Sequence, residues 1–471
     1  MSSKVKLTTQ TGSLPAARPQ RLLALVGLGT ALVLITYVTP MATVPATALD
    51  LAAGSGARAW ILSSMSVGLA AALLASGAIG DAIGRRRTYV AGLTLLGLGS
   101  LLCAVAPNSA VFVGARVLEG AGGAAILSCG LAILAQAFPE PAARSRATGI
   151  WGASVGVGIT VGALLAAGLE FGTGWREAYV VVGVFALGLV LPSVRQLAES
   201  SADHPRRVDV AGLLSLAAAL TLLVSGLTQA RSGVDGPVAL VLALAAVLLV
   251  VFGLVEARSA EPMLDLVLLR SPGFLASTLG ALVVGLGIIG MTSNVPLLVQ
   301  AGLGSSLWVA TWLVLGWSAS SVVTSLLVRR VQIPISGPHL LASALAVVAV
   351  AQLLALGVHQ DSTPWRLLPS MLLAGLATGV LNAVLGREAV ANVPPDRAAM
   401  GSGTNNTARY LGAACGITVF SVVLSDAGSG VGAARLVDGW DPAVLVSALV
   451  SAIGAVVIGA IAAVSRRGKR A

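Results

Sequence analysis

Gly77-Ala78-Ile79-Gly80-Asp81-Ala82-Ile83-Gly84-Arg85-Arg86-Arg87 joins two long apolar runs, roughly 59–80 and 88–106. A helix needs about 20 apolar residues to cross a bilayer, and each run supplies that length. The stretch is therefore a very short hairpin at a membrane face. Gly77, Gly80 and Gly84 let two helices approach closely and turn sharply. Three consecutive arginines place that face in the cytoplasm, because short basic loops stay inside. A purely topogenic loop would account for the arginines but not for Asp81 or the spaced glycines. An acid at that place calls for a cationic partner or a helix N-terminus.

Composition agrees. The chain has 471 residues, of which 56% are hydrophobic and 10% charged, and its mean hydropathy is +0.92. Soluble domains carry about 25% charged residues. The expectation is an all-α polytopic membrane protein. Cys103, Cys129 and Cys415 fall in apolar runs without metal spacing and read as small buried apolar residues. His204, His339 and His359 lie near helix ends and do not cluster, so no metal site is expected. No cleavable leader is expected either: the first apolar run is long and follows about twenty polar residues.

Fourteen apolar runs follow, at about 22–46, 59–80, 88–106, 110–137, 147–169, 177–195, 209–230, 237–256, 273–300, 307–328, 338–358, 366–386, 402–424 and 442–464. With a cytoplasmic N-terminus, 22 of the 29 Lys and Arg fall inside, 5 fall outside, and Arg116 and Arg409 stay within the membrane. This asymmetry explains the net charge of +10 through topology, without nucleic acid. The domain reading is a cytoplasmic tail (1–21), a six-helix bundle (22–195), a linker with two extra helices (196–272), a second six-helix bundle (273–464) and a short tail (465–471). Met263–Arg270 in the linker reads as a short amphipathic surface helix.

Charge inside a membrane is costly and marks functional candidates. Arg116, Glu119, Gly120 and Gly123 share one helix face at i, i+3, i+4, i+7. Glu119 is either a proton-titrating carboxylate tuned by Arg116 or half of a structural ion pair. In the first run, Pro40 and Pro45 bend the helix and free carbonyls that must face protein or a cavity. Gly149, Gly158 and Gly162 give the fifth helix a smooth packing face. The cavity candidates are Thr36, Tyr37, Trp151, Asn294, Gln300, Trp312, Trp317, Asn382, Asn405, Asn406 and Arg409.

These residues carry a resemblance. The opening hairpin resembles the loop between helices 2 and 3 of the major facilitator superfamily, G-x-L-x-D-R-x-G-R-R/K-x, with Ile79 and Ala82 as departures. Arg116-x-x-Glu119-Gly120-x-Gly122 resembles the fourth-helix motif R-x-x-Q-G-x-G, whose arginine is implicated in proton transfer. Gly149-x8-Gly158-x3-Gly162 is similar to the antiporter motif, with Ala163 at its Pro. Thr43-Val44-Pro45, Asp50-Leu51, Trp175-Arg176, Glu261-Pro262 and Gly401–Gly412 resemble the fourteen-helix drug:proton antiporter branch, which usually carries an aspartate where Thr36 stands.

The resemblance implies a major-facilitator fold of two six-helix bundles plus two inserted helices. It also implies a latch made by Gly77, Asp81, Gly84, Arg85 and Arg86, in which Asp81 caps the helix beginning near Ser402. The function it implies is export of a lipophilic antibiotic or toxic organic compound in exchange for protons by alternating access, with Glu119 and Arg116 coupling. Neutral or weakly charged substrates are expected. The alternatives are an uptake facilitator for a small metabolite and a non-transporting membrane sensor; no enzyme is implied. No cofactor is expected beyond the proton gradient. The partners are a small lipophilic substrate, protons and the bilayer, with no nucleic acid. The protein is expected to be a monomer in the cytoplasmic membrane with both termini inside.

Overall fold

The computed structural model describes residues 19–169, 173–201, 209–230, 235–259, 262, 266–328, 335–391, 393–394, 398–426 and 432–467. Among these residues there is no strand. The first eight long helices are α1 (Pro19–Asp50), α2 (Ser55–Ile83), α3 (Arg85–Ala104), α4 (Ser109–Ala137), α5 (Pro141–Gly168), α6 (Arg176–Gln196), α7 (Val210–Gln229) and α8 (Gly236–Arg258). Then follow α9 (Pro272–Gly302), α10 (Leu307–Val328), α11 (Gly337–Leu353), α12 (Leu368–Ala391), α13 (Ala398–Asp426) and α14 (Trp440–Arg467). Among the described residues, thirteen spans are long and apolar enough to cross a membrane, and α11 is a shorter apolar helix. The tail 1–18, His204, residues 263–265 of the expected surface helix and the loop 329–334 lie outside the described residues. Of that surface helix, Leu266–Arg270 forms a single 3₁₀ turn.

Local chemistry sets several helix starts. The side chains of Asn108, Asp209 and Asp235 accept the backbone N–H of Val111, Gly212 and Val238, at 3.0, 2.8 and 2.9 Å. Each satisfies an amide that has no partner inside its helix. Gly84 alone separates α2 from α3, at φ +124°, ψ 130°, a conformation that side chains disfavour.

Helices α1–α6 pack as one bundle and α9–α14 as a second. The inserted pair α7–α8 packs together, and α7 rests on α2 and α13. Small residues let the helix axes close up. Gly158 and Gly162 of α5 lie against the backbone of Ala31 and Ile35 in α1, while Gly156 faces Ser318 and Val322 of α10. One helix thus serves its own bundle with one face and the opposite bundle with another.

Two helices depart from the sequence reading. The run 338–358 ends as helix at Leu353, because Gly357 adopts φ +76°. The non-helical residues dock on the start of α14: Trp440 Nε1 donates to the Ala355 carbonyl at 2.9 Å, and the Asp441 carboxylate accepts the Gly357 N–H. The run 273–300 is not a continuous α-helix. It widens into π-helical turns at Val284–Ile289 and Leu298–Gly302, with a break at Ser293–Asn294. Gly285 and Gly290 bring this helix onto the backbone of α13 at Ala413 and Gly416, and Pro296 supplies no N–H. Extra turns of this kind are frequent at functional sites.

The hairpin between α2 and α3 is held by charge. Arg85 donates to Asp81 at 2.8–2.9 Å and to Gln136 Oε1 of α4 at 3.1 Å. Beyond α6, Glu199 folds under the hairpin, accepts the Arg86 N–H at 3.0 Å and faces the Arg86 and Arg87 side chains at 3.4 and 3.6 Å. Replacing Gly84 by Ala adds a methyl group against the Glu199 carboxylate in a conformation that costs about 1–3 kcal/mol. Thermal unfolding of the purified Gly84→Ala protein is expected to fall by several degrees, and an unchanged midpoint would refute this reading of the turn.

Candidate functional site

A cavity of about 70 Å³ lies between the two bundles. Leu34, Tyr37, Val38 and Met41 of α1 and Val155, Ile159 and Ala163 of α5 line one side; α9, α10, α12 and α13 complete the wall. The wall is mainly aliphatic, with Tyr37, Trp317 and Tyr410 as its aromatic members. Tyr37 and Tyr410 meet edge to face across the two bundles, with ring centroids 5.5 Å apart.

With fourteen long helices among the described residues, each antiparallel to the next, the start of α1 and the end of α14 lie on one face, the termini face, and toward it the cavity is sealed. Ser325 Oγ of α10 donates to the Gly149 carbonyl of α5 at 3.5 Å. Ser402 Oγ donates to the Leu127 carbonyl at 3.4 Å, joining α13 to α4, and Gly403 abuts Leu73 of α2. The cavity lies on the other side of these contacts. The lining positions run from Leu34 to Ala42 in α1 and from Leu307 to Trp317 in α10, the halves of these helices remote from the termini face.

Of the eleven cavity candidates, Tyr37, Trp317, Asn382 and Arg409 line the wall. The other seven lie off it. Thr36 returns its hydroxyl to the Leu32 carbonyl, and Trp151 is buried against Gly386. Asn294 donates to the Gly290 carbonyl and accepts from Ser421, and Gln300 donates to the Pro296 carbonyl. Asn405 donates to Ser277 and Asn406 to Ser402. Trp312 is 50% exposed on the outer surface. Sequence reading missed Ser293, Thr311, Thr378 and Tyr410, which do line the wall. Their signal was available for Tyr410, one residue from Arg409.

Arg116 and Glu119 are both fully buried and face away from the cavity, toward α1 and α3. Arg116 Nη1 lies 2.6 Å from Glu119 Oε2 and donates to the Thr36 carbonyl at 2.9 Å. Ser100 Oγ donates to Glu119 Oε1 at 2.6 Å, and the Arg116 guanidinium stands 6.0 Å from the Tyr179 ring centre. The Thr36 carbonyl is free because residue 40, four positions on, is a proline with no N–H to donate. The proline of α1 and the buried arginine thus complement one another. Tyr37, the next residue, faces the cavity and shares a 3.0 Å hydroxyl contact with Ser66 of α2.

On the opposite face Asp50 accepts from Trp175 Nε1 at 3.1 Å and pairs with Arg176 at 2.9 Å, tying α1 to α6. At the termini face, α13 begins at Ala398, a turn earlier than the start near Ser402 read from sequence. Residues 395–397, which would carry a cap there, lie outside the described residues. Asp81 pairs with Arg85 in its own hairpin.

A membrane-spanning bundle of two six-helix halves around a central cavity is the architecture of a secondary transporter. Residues 26–417 match the Major Facilitator Superfamily, and the chain belongs to it. It is 31% identical over 80% of its length to the "Probable actinorhodin transporter" of Streptomyces coelicolor, covering 68% of that protein. It is 32% identical to "Puromycin resistance protein pur8" of Streptomyces alboniger, over 86% of this chain and 81% of that one. With the "Multidrug efflux pump LfrA" of Mycolicibacterium smegmatis it shares 28% identity over 90% and 84% of the two chains. The fold is similar to that of the human organic anion transporter MFSD10 (TM-score 0.68, 19% identity, 95% of this chain and 100% of that one). It is also similar to the proton:xylose symporter XylE (TM-score 0.66, 13% identity, 93% and 94%). The protein is a multi-pass membrane transporter and not an enzyme.

The buried pair has a testable energetic consequence. Removing one partner leaves an uncompensated charge, at a cost of about 3–5 kcal/mol. Arg116→Leu is expected to destabilise the protein by that order in equilibrium unfolding. The double variant Arg116→Leu/Glu119→Leu should recover most of the loss. A double variant no more stable than the single one would contradict the pairing.

Proposed function

We propose that this protein exports a lipophilic antibiotic or other toxic organic compound from the cytoplasm in exchange for protons. The observation that carries the reading is the apolar cavity between the bundles, in a chain similar over most of its length to antibiotic and drug exporters. With the termini in the cytoplasm, as the distribution of Lys and Arg favours, the seal formed by α5, α10, α4 and α13 closes the cavity to the inside. An inward-closed arrangement of this kind supports one half of an alternating-access cycle.

Glu119 is the acid placed to couple that cycle. Its carboxylate holds Arg116, and Arg116 holds the Thr36 carbonyl one residue from the cavity wall. Protonation of Glu119 would neutralise one partner, loosen the guanidinium from its place and change the support under α1 at the Thr36 carbonyl. The charge-assisted contacts at stake are roughly twice as strong as neutral ones. Release of substrate outward with Glu119 protonated, and of the proton inward as substrate rebinds, completes the exchange. The latch at Asp81 and Arg85 and the packing face of Gly149, Gly158 and Gly162 would carry the rigid-body movement. The protein would work as a monomer in the cytoplasmic membrane.

Inside-out vesicles energised acid-inside test this directly. Adding a transported antibiotic is expected to alkalinise the lumen in wild-type vesicles and to leave luminal pH unchanged in Glu119→Gln vesicles. Full pH-driven exchange by the Glu119→Gln protein would refute the coupling role.

A further inference from the structure

The cavity wall bears one formal charge. Arg409 of α13 lines it at 5% exposure, and no Asp or Glu is among the lining residues. Arg409 Nη1 donates to Asn382 Oδ1 at 3.2 Å, while its Nε and Nη2 have no hydrogen-bond partner among the described residues. The same wall carries two more buried polar atoms without partners, Trp317 Nε1 and Ser293 Oγ. Leaving buried donors unmet is unfavourable, and a charged one most of all. Indole and guanidinium nitrogens only donate, and a hydroxyl can. What is missing from this wall is therefore an acceptor, and beside a lone cation the fitting acceptor is an anion.

We propose, resting on the export reading of this same cavity, that Arg409 anchors one acidic group of the substrate and that the pump selects amphipathic organic monoanions. The free Nε and Nη2 form the edge of a guanidinium fork that matches a carboxylate in two parallel hydrogen bonds. A phenolate would take one of them. Trp317 Nε1 and Ser293 Oγ add donors from α10 and α9. The remaining wall, aliphatic with Tyr37 and Tyr410, suits an aromatic or aliphatic body. A permanent organic cation would meet the Arg409 charge with no acid on the wall to offset it.

The test is equilibrium binding to the full-length protein in lipid nanodiscs, with empty nanodiscs subtracted. The probes are anthracene-9-carboxylate, its methyl ester and tetraphenylphosphonium. Wild type is expected to bind the carboxylate at least tenfold more tightly than the ester and to bind the phosphonium more weakly still. In Arg409→Gln the ratio of carboxylate to ester affinity should collapse to near one. Arg409→Lys, which keeps charge but loses the fork, should keep an intermediate ratio, and Trp317→Phe should lower it several-fold. Equal binding of carboxylate and ester by wild type, tighter binding of the phosphonium, or no binding of the carboxylate would overturn the proposal. Binding is read without transport, so a failure of proton-driven export would show only in the vesicle experiment.

Discussion

Arg116 has no exposed surface in a helix that crosses the membrane, and three elements are committed to holding its charge: Glu119 of its own helix, the Thr36 carbonyl of α1, and Ser100 of α3 acting through Glu119. Hydrocarbon supplies no water to a polar atom, so each must be met from within the protein. Pro40 makes the Thr36 carbonyl available. Elsewhere the constraint is met more cheaply. Thr36, Thr39, Thr43 and Thr47 each return a hydroxyl to the carbonyl four residues back, at 2.8–3.1 Å. Some buried atoms among the described residues stay unmet even so, Arg116 Nε and Nη2 and Trp151 Nε1 among them.

Much of the fold was legible in the sequence because a bilayer leaves a coarse record. Apolar length gave the spans. Capping residues such as Asp209 and Asp235 mark helix starts that hydropathy alone blurs. What could not be read is geometry that leaves hydropathy unchanged. Residues 354–358 are nearly as apolar as the helix before them, and only the conformation of Gly357 and the docking of Trp440 end α11 there. The π-helical turns of α9 likewise alter the backbone path without altering composition.

The candidate site was legible in part, for a related reason. Polar residues in apolar helices are conspicuous, but most are consumed locally, as Asn405 is by Ser277 and Asn294 by Gly290 and Ser421. Type cannot separate those from Asn382 and Arg409, which face the cavity; direction around the helix does. Glu119 was conspicuous too, yet its surroundings on α3 and α1, away from the cavity, came only from packing. Glu199 read as part of a polar linker and instead grips the start of α3. Its one sequence signal was an acid close behind α6 in a chain whose neighbouring hairpin carries three arginines.

Alternating access requires the seal between α5 and α10 to open and close during transport. The most direct measurement is to lock it. With Cys103, Cys129 and Cys415 replaced by alanine, Gly149→Cys and Ser325→Cys would place two thiols where a serine hydroxyl now reaches a backbone carbonyl at 3.5 Å. Oxidation is expected to cross-link them and stop substrate accumulation in inside-out vesicles, and reduction should restore it. Undiminished accumulation by the fully cross-linked protein would contradict alternating access through this seal.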